Sequence, residues 1–443
     1  MKHVRILVVM FGLTTLFLFP AAVRAQFLTV DCSGTNPYAL FSTINAALPA
    51  AGPGAFIQVT GTCNENVGLN GVINLSLAAP FGQTANINGN VSINNSQNVF
   101  LGGLNVANAF GDGIDVNSSR SVVLDGCTSN GNAGHGLSAG QSSDITILAT
   151  GAFSGNGGYG IQDGDTTFVN IVAFAGTVEI SNNQVGAVRN EGDFATLGNT
   201  HMANNGPIPN ADLRVGIDMR GGGRAQMGSL FGPNIIENNP NGGVSLQENS
   251  EISFWSLSGV PGAANIVRNN GPFGVEAGFG SQVTLAGVQI SGHTGPGVDI
   301  YGHSQLYGSS QIPGLNATQI QNNGTAGSPL GAGVRIDGNS EAMLRGVNIS
   351  QSNGPAILAL VNSSVDFAGN TFSGNTAVIT CDSTSTMVSD LALTDRTPAS
   401  GVSCTTAHSL GNRVASVPTP AVPDISIWKK LHSNYQQRSA AQK

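Results

Sequence analysis

The sequence predicts an all-β, right-handed parallel β-helix, a coil of short strands stacked rung upon rung. Three observations predict it. A Gly–aliphatic–polar–aliphatic signature recurs along the chain, as in GIDV at 113–116, GVSL at 243–246, GVDI at 297–300 and GVRI at 333–336. Each recurrence leads, after a Ser or Thr, into alternating apolar residues and then closes on Asn. The composition is poor in charge, with 9% charged residues, 61 Gly and 40% hydrophobic residues, where average chains carry about 25% charged residues.

The chain begins with a predicted secretory signal over residues 1–25. Lys2 and Arg5 precede an apolar run, Ile6 to Phe19, and Val23-Arg24-Ala25 offers a cleavage site near Ala25. The run is shorter than the roughly 20 residues a spanning helix needs. The expectation is a secreted, extracellular or periplasmic protein with no membrane insertion, and a monomer.

Cleavage would remove Lys2, Arg5 and Arg24 from the 17 basic residues, leaving 14 against 25 acidic, a net charge of −11. No Lys occurs between positions 3 and 428. A nucleic-acid or anionic-membrane partner needs a basic patch, so both are disfavoured.

Residues 26–80 read as an N-terminal cap and first coil. Asn36-Pro37 predicts a helix start. Leu40, Phe41, Ile44, Ala47 and Leu48 form one apolar face that would cover the open end of the stack. In a secreted chain the cysteines flanking each end are expected to pair, Cys32 with Cys63 and Cys381 with Cys404. Cys127 occupies an apolar place of the repeat and reads as a buried small hydrophobe.

The helix proper is expected over 81–380, in about 11 to 12 coils. The first aliphatic of the signature falls at Ile114, Leu137, Ile161, Ala187, Ile217, Val244, Val275, Val298, Val334 and Ile357. The closing Asn falls at Asn132, Asn156, Asn183, Asn205, Asn239, Asn270, Asn323, Asn353 and Asn375, with His293 in that place once. Period-two alternation means strands with one buried face. The units are too short for a strand plus a crossover helix of ordinary length. A coil of strands and turns remains, with aliphatic columns inside and Asn or Gly at the turns. Residues 381–412 would close the stack. Pro418, Pro420 and Pro423 mark a linker into a polar tail, 413–443.

The repeat architecture of residues 28–380 resembles the pectin-lyase-like superfamily, which includes pectate lyases, polygalacturonases and pectin methylesterases. FSTINAAL and FIQVTGTCNENV look like the capping stretch of pectin methylesterases. FGDGIDVNSSRSVVLDGC at 110–127 is similar to the polygalacturonase stretch containing N-T-D, and GHGLSAG at 134–140 to that family's G-H-G segment. Carried over, Asp112 would match a catalytic carboxylate and His135 the active-site histidine. Phe110 and Gly111 stand where that family has Asn and Thr, and its D-D pair and R-I-K motif have no counterpart. His135 is therefore expected to be a turn residue.

A candidate site follows from the columns instead. The residue between the two aliphatics points outward: Asp115, Ser138, Gln162, Val188, Asp218, Ser245, Glu276, Asp299, Arg335 and Leu358. Glu276, Asp299 and Arg335 then occupy three successive rungs and are the candidate catalytic residues. One rung, about 5 Å, is the spacing of a retaining carboxylate pair and also suits a shared calcium. Tyr301 and Asp337, two residues further on, face the same way, and His303 follows. The coils from Ser250 to Asn270 and from Ser304 to Asn323 carry insertions expected to wall a groove, with Trp255 placed to stack on a sugar. These residues (Trp255, Tyr301, His303 and Asp337) are the candidate substrate-binding set. The expected function is binding or processing of an extracellular polysaccharide. The competing expectation is a non-catalytic structural or adhesion-type rod.

Overall fold

The structure is a computed structural model. It describes residues 26–389, apart from 165, 197, 208–214, 259–261, 263, 311 and 327–329, together with 407–408. The expected signal segment 1–25, Cys404 and the expected linker and tail 413–443 lie outside the described residues.

Every strand pairing within the two sheets is parallel, as the alternating pattern and the short repeat require. A typical coil places one strand in a narrow sheet and two in a wide one. Val275–Ala277 lies in the narrow sheet, and Gln282–Ala286 and Val288–Ser291 follow in the wide sheet. The predicted inner line exists: Val244, Val275, Val298 and Val334 pair in register and are wholly buried. Rungs repeat at about 4.8 Å, and one continuous apolar core runs from Leu28 to Met387.

The narrow sheet has 13 strands among the described residues, from Val67–Asn70 to Ala377–Cys381, more than the expected 11 to 12 coils. The extra rungs begin at Val67 and Val91, where Asn66 and Asn90 replace the signature Gly, and at Ala377. Burial defines a rung here, and the glycine merely accompanies it.

One register differs from expectation. Val188, not Ala187, pairs with Ile161 and Ile217 and points inward, so the outward residue is Arg189 rather than Val188. Gly186 pairs with Tyr159 rather than with Gly160, and the ring of Tyr159 lies against it. A Cβ at 186 would fall 2.6 Å from Tyr159 Cε1.

The closing asparagines form a buried ladder. Asn156 donates through both its backbone N and Nδ2 to Asn183 Oδ1 at 3.0 Å, and Asn183 repeats this toward Asn205 at 3.1 and 2.9 Å. Each amide thus serves the backbone of its own corner and the next, which a turn buried on both sides requires. His293 takes one place, its ring nitrogens meeting the carbonyls of Asn270 and Val267. Near the end Ser352, not Asn353, holds the ladder position, donating its N to Asn375 Oδ1.

The N-terminal helix is shorter than expected, running only from Ile44 to Ala47 with Thr43 as its cap. Glu65 adds a carboxylate cap, accepting from Ile44 N at 2.6 Å and Asn45 N at 3.0 Å. Asn36 closes a turn onto Tyr38 N instead of starting a helix. Leu40 and Phe41 are extended because they bond the outermost strand, Phe27–Asp31, through Thr29 O and Asp31 N. Pairing a bare strand edge outweighs helix formation there. Ile44 and Ala47 join the core, while Leu40 stays exposed.

Cys32 and Cys63 form the expected disulfide. Cys381 is also disulfide-bonded; its expected partner, Cys404, is not among the described residues. Cys127 is a buried free thiol, pushed up to about 12 by desolvation and therefore inert. No helix among the described residues is long and apolar enough to cross a membrane.

Candidate functional site

The narrow sheet presents its outward column in register: Asp115, Ser138, Gln162, Arg189, Asp218, Ser245, Glu276, Asp299, Arg335 and Leu358. Glu276, Asp299 and Arg335 stand on three successive rungs, so the structure brings the predicted trio together.

Asp299 is the most buried of the three. Its Oδ2 lies 3.4 Å from Arg335 Nη1, while its Oδ1 is buried without a hydrogen-bond partner. Burial raises its pKa to about 6. Arg335 opposes the rise, and the neighbouring Glu276 and Asp337 charges add to it. Arg335 also reaches Asp337 Oδ2 at 3.2 Å. Glu276 Oε1 collects three donors: Ser245 Oγ at 3.2 Å, Gln247 Nε2 at 3.3 Å and Tyr301 Oη at 3.3 Å. Burial raises the Glu276 pKa, and the bonds from Ser245 and Tyr301 and the Arg335 charge hold it back. The result is two carboxyls about one rung apart, one titrating near neutrality with a free lone pair and a guanidinium beside it. A carboxyl tuned in that way suits proton exchange.

Arg335 bridges Asp299 Oδ2 and Asp337 Oδ2, so a guanidinium neutralises both acids on that side. Among the described residues, the one set of ligand atoms close enough for a metal is Cys32, Cys63 and Glu65, and those two sulfurs form the disulfide.

The other predicted residues divide. Tyr301 and Asp337 join the site. His303 sits in the following corner at φ +67°, exposed, donating its backbone N to Gly338 O. Trp255 is not at the site. It is 1% exposed on the wide sheet, packed with Val123, Leu148, Val172 and Ala286. The two insertions meet there too, Leu257 bridging Leu315, and both residues pack on the Trp255 cluster. They leave the coil between its two wide-sheet strands, away from the narrow sheet, and roof an external apolar patch rather than wall a groove.

A second cluster on the same face was missed because the register at 186–188 was misread. Tyr159 Oη donates to Asp218 Oδ2 at 3.1 Å, Arg220 Nε to Asp218 Oδ1 at 3.1 Å, and Arg189 pairs with Glu191 and Asp218. The preference of a core position for Val188 over Ala187 was the available signal. The polygalacturonase-like residues lie at the adjoining corner and are internally satisfied. Asp112 Oδ1 accepts from His135 N at 2.7 Å, and His135 Nδ1 accepts from Tyr159 N at 2.9 Å. Desolvation lowers the His135 pKa. His135 is a turn residue, as expected.

A stacked, parallel, three-strand coil with an outward polar column on its narrow sheet defines a parallel β-helix. Residues 187–372 match the family described as the right handed beta helix region. Three solved structures are similar to this chain at low identity. The pectate lyase Pel9A is 13% identical, with 63% of this chain and 74% of that chain covered at a TM-score of 0.42. The A-module of the Azotobacter vinelandii mannuronan C-5 epimerase AlgE6 is 15% identical, covering 83% and 90% at 0.35. The alginate lyase from Paenibacillus sp. str. FPU-7 is 14% identical, covering 81% and 99% at 0.22. No protein of curated function matches the sequence.

Proposed function

We propose that this chain is a secreted protein that binds an extracellular polysaccharide along the narrow sheet and acts on it at the Glu276–Asp299 pair. One observation carries the reading: Asp299, with its unpartnered oxygen and its pKa near 6, stands one rung from Glu276 and beside Arg335. In this reading Asp299 exchanges a proton with the bound sugar chain, Glu276 accepts its hydroxyls, and Arg335 orients Asp299. The similar solved structures include a pectate lyase, an alginate lyase and an epimerase of mannuronan by name. The test is a screen of the purified protein against acidic and neutral glycans, following binding and reducing-end or unsaturated product. The double variant Glu276→Ala/Asp299→Ala should lose the response; an unchanged response removes the proposal. A non-catalytic adhesion-type rod is the second reading. It is favoured by the way Arg189, Arg220 and Arg335 are each neutralised by acids of their own face. Binding without product in the same screen would select it.

A further inference from the structure

The corner after several narrow-sheet strands is a pair of residues in left-handed geometry. Successive pairs are Glu248–Asn249 (φ +59° and +62°), Phe279–Gly280 (+52° and +80°), Gly302–His303 (+61° and +67°) and Gly338–Asn339 (+62° and +61°). Backbone bonds stack them, with Asn249 N donating to Phe279 O and Gly280 N to Gly302 O. Gly and Asn suit this conformation, whereas a bulky side chain is an outlier there and costs on the order of 1–3 kcal/mol. Phe279 nevertheless occupies the first place and is 63% exposed; Val361 is the other exposed bulky apolar residue in that place, at φ +50°. Phe279 strains the backbone and buries little apolar surface, so neither local conformation nor core packing accounts for it.

Phe279 follows Glu276 by three residues on the same coil. Its ring partner is Tyr301, edge-to-face at 5.8 Å with an interplanar angle of 82°. Tyr301 is itself fixed. Its hydroxyl meets Gln247 Nε2 at 2.9 Å and Glu276 Oε1 at 3.3 Å. Its ring packs against Gly278, where a Cβ would fall 2.5 Å from Tyr301 Cε2. An exposed ring is thus propped by an immobile one at the edge of the carboxylate ladder. The ionisable groups of that ladder are Glu276, Asp299 and Asp337 against the single Arg335, and the whole chain carries −8. An acidic face repels a polyanion. Carboxylates accept hydroxyl hydrogen bonds strongly, and an aromatic ring offers a rigid apolar platform to the C–H face of a sugar.

We propose that Phe279 and Tyr301 form a stacking subsite for an uncharged pyranose residue, which the adjoining carboxylates hold by its hydroxyls. The subsite rests on the glycan reading of the Glu276–Asp299 ladder and narrows it to neutral polymers. The test measures binding of the full chain to soluble β-glucan, xylan and galactomannan, and to polygalacturonate, by calorimetry. Phe279→Gly, Phe279→Tyr and the ladder variant Glu276→Gln/Asp299→Asn are compared with wild type. Wild type should bind a neutral polymer and not polygalacturonate. Phe279→Gly should weaken that binding roughly tenfold while its melting temperature rises, since glycine relieves the strain. Phe279→Tyr should bind nearly as wild type. Equal binding by Phe279→Gly alongside weak binding by the ladder variant overturns the subsite and leaves the glycan reading standing. Preference for polygalacturonate overturns the neutral-sugar assignment, and no binding to any polymer overturns both.

Discussion

Asp163 lies inside the cylinder, and replacing it with Asn tests how the coil tolerates a buried acid. It pairs with Ala139 on one side and Asn190 on the other and is fully buried. Its Oδ1 accepts from Glu191 N at 2.9 Å and Gly192 N at 3.3 Å, while Oδ2 has no partner. Burial pushes the carboxyl up to about 8. The two backbone donors oppose the rise, and the charges of Asp193 and Glu191 add to it. The folded-state pKa therefore lies above the ordinary 3.8, so the folded state binds more protons across that window. Stability must fall as pH rises from about 4 to about 8. By pH 7 the difference spans about three units at 1.36 kcal/mol each, on the order of 4 kcal/mol. Asp163→Asn keeps the acceptor oxygen and both backbone bonds and removes the titration. The variant should be more stable than wild type at pH 7–8, with the gain vanishing below pH 4. Urea melts from pH 4 to 9 measure this. Amide exchange on residues 137–190 should accompany them, because a solenoid need not unfold in one step. A variant that melts below wild type at pH 8, or an equal difference at pH 4 and pH 8, would refute the reasoning.

Two further predictions concern the scaffold. Asn183→Ala leaves Asn156 N without its acceptor and Phe153 O without the Asn183 donor. At about 1–3 kcal/mol for each of the two buried orphans, it should cost about 2–6 kcal/mol in a urea melt. The neighbouring Asn182→Gly, at φ +58°, should change little; equal losses would refute the ladder's role. His201 bridges Glu179 Oε2 at 2.8 Å and Glu237 Oε1 at 3.0 Å, and the bond to Glu179 foremost raises its pKa above 6.5 against the effect of burial. Its contribution is full below pH 6.5 and lost as pH rises through the raised value. His201→Gln should therefore lower the melting temperature at pH 6 and scarcely move it at pH 9; the same drop at both would overturn this account.

The outward column expected from the sequence stands in the structure wherever the inner residue is unambiguous. Val275, Val298 and Val334 are aliphatic between polar neighbours, so Glu276, Asp299 and Arg335 could face only outward. It failed at Ala187-Val188, where two apolar neighbours compete for the inside and a one-residue slip reverses every side chain. That slip hid Arg189 and, with it, the Tyr159–Asp218 cluster. It failed again at Trp255, since the repeat says which strand a residue occupies but not what an inserted loop folds over.

By itself the sequence determined the coil. Period-two alternation with a recurrent Gly and Asn admits few arrangements that bury the aliphatic faces and satisfy the turn backbone. Rung order along the axis follows from chain order, so neighbours in the Glu276–Asp299–Arg335 line needed no coordinates. The tertiary structure alone decided what happens across coils and around corners. It packed the two insertions on Trp255, seated Asp163 inside, propped Phe279 on Tyr301 and put Arg335 between two acids. These depend on side-chain reach and on space left by particular glycines, quantities that no one-dimensional period encodes.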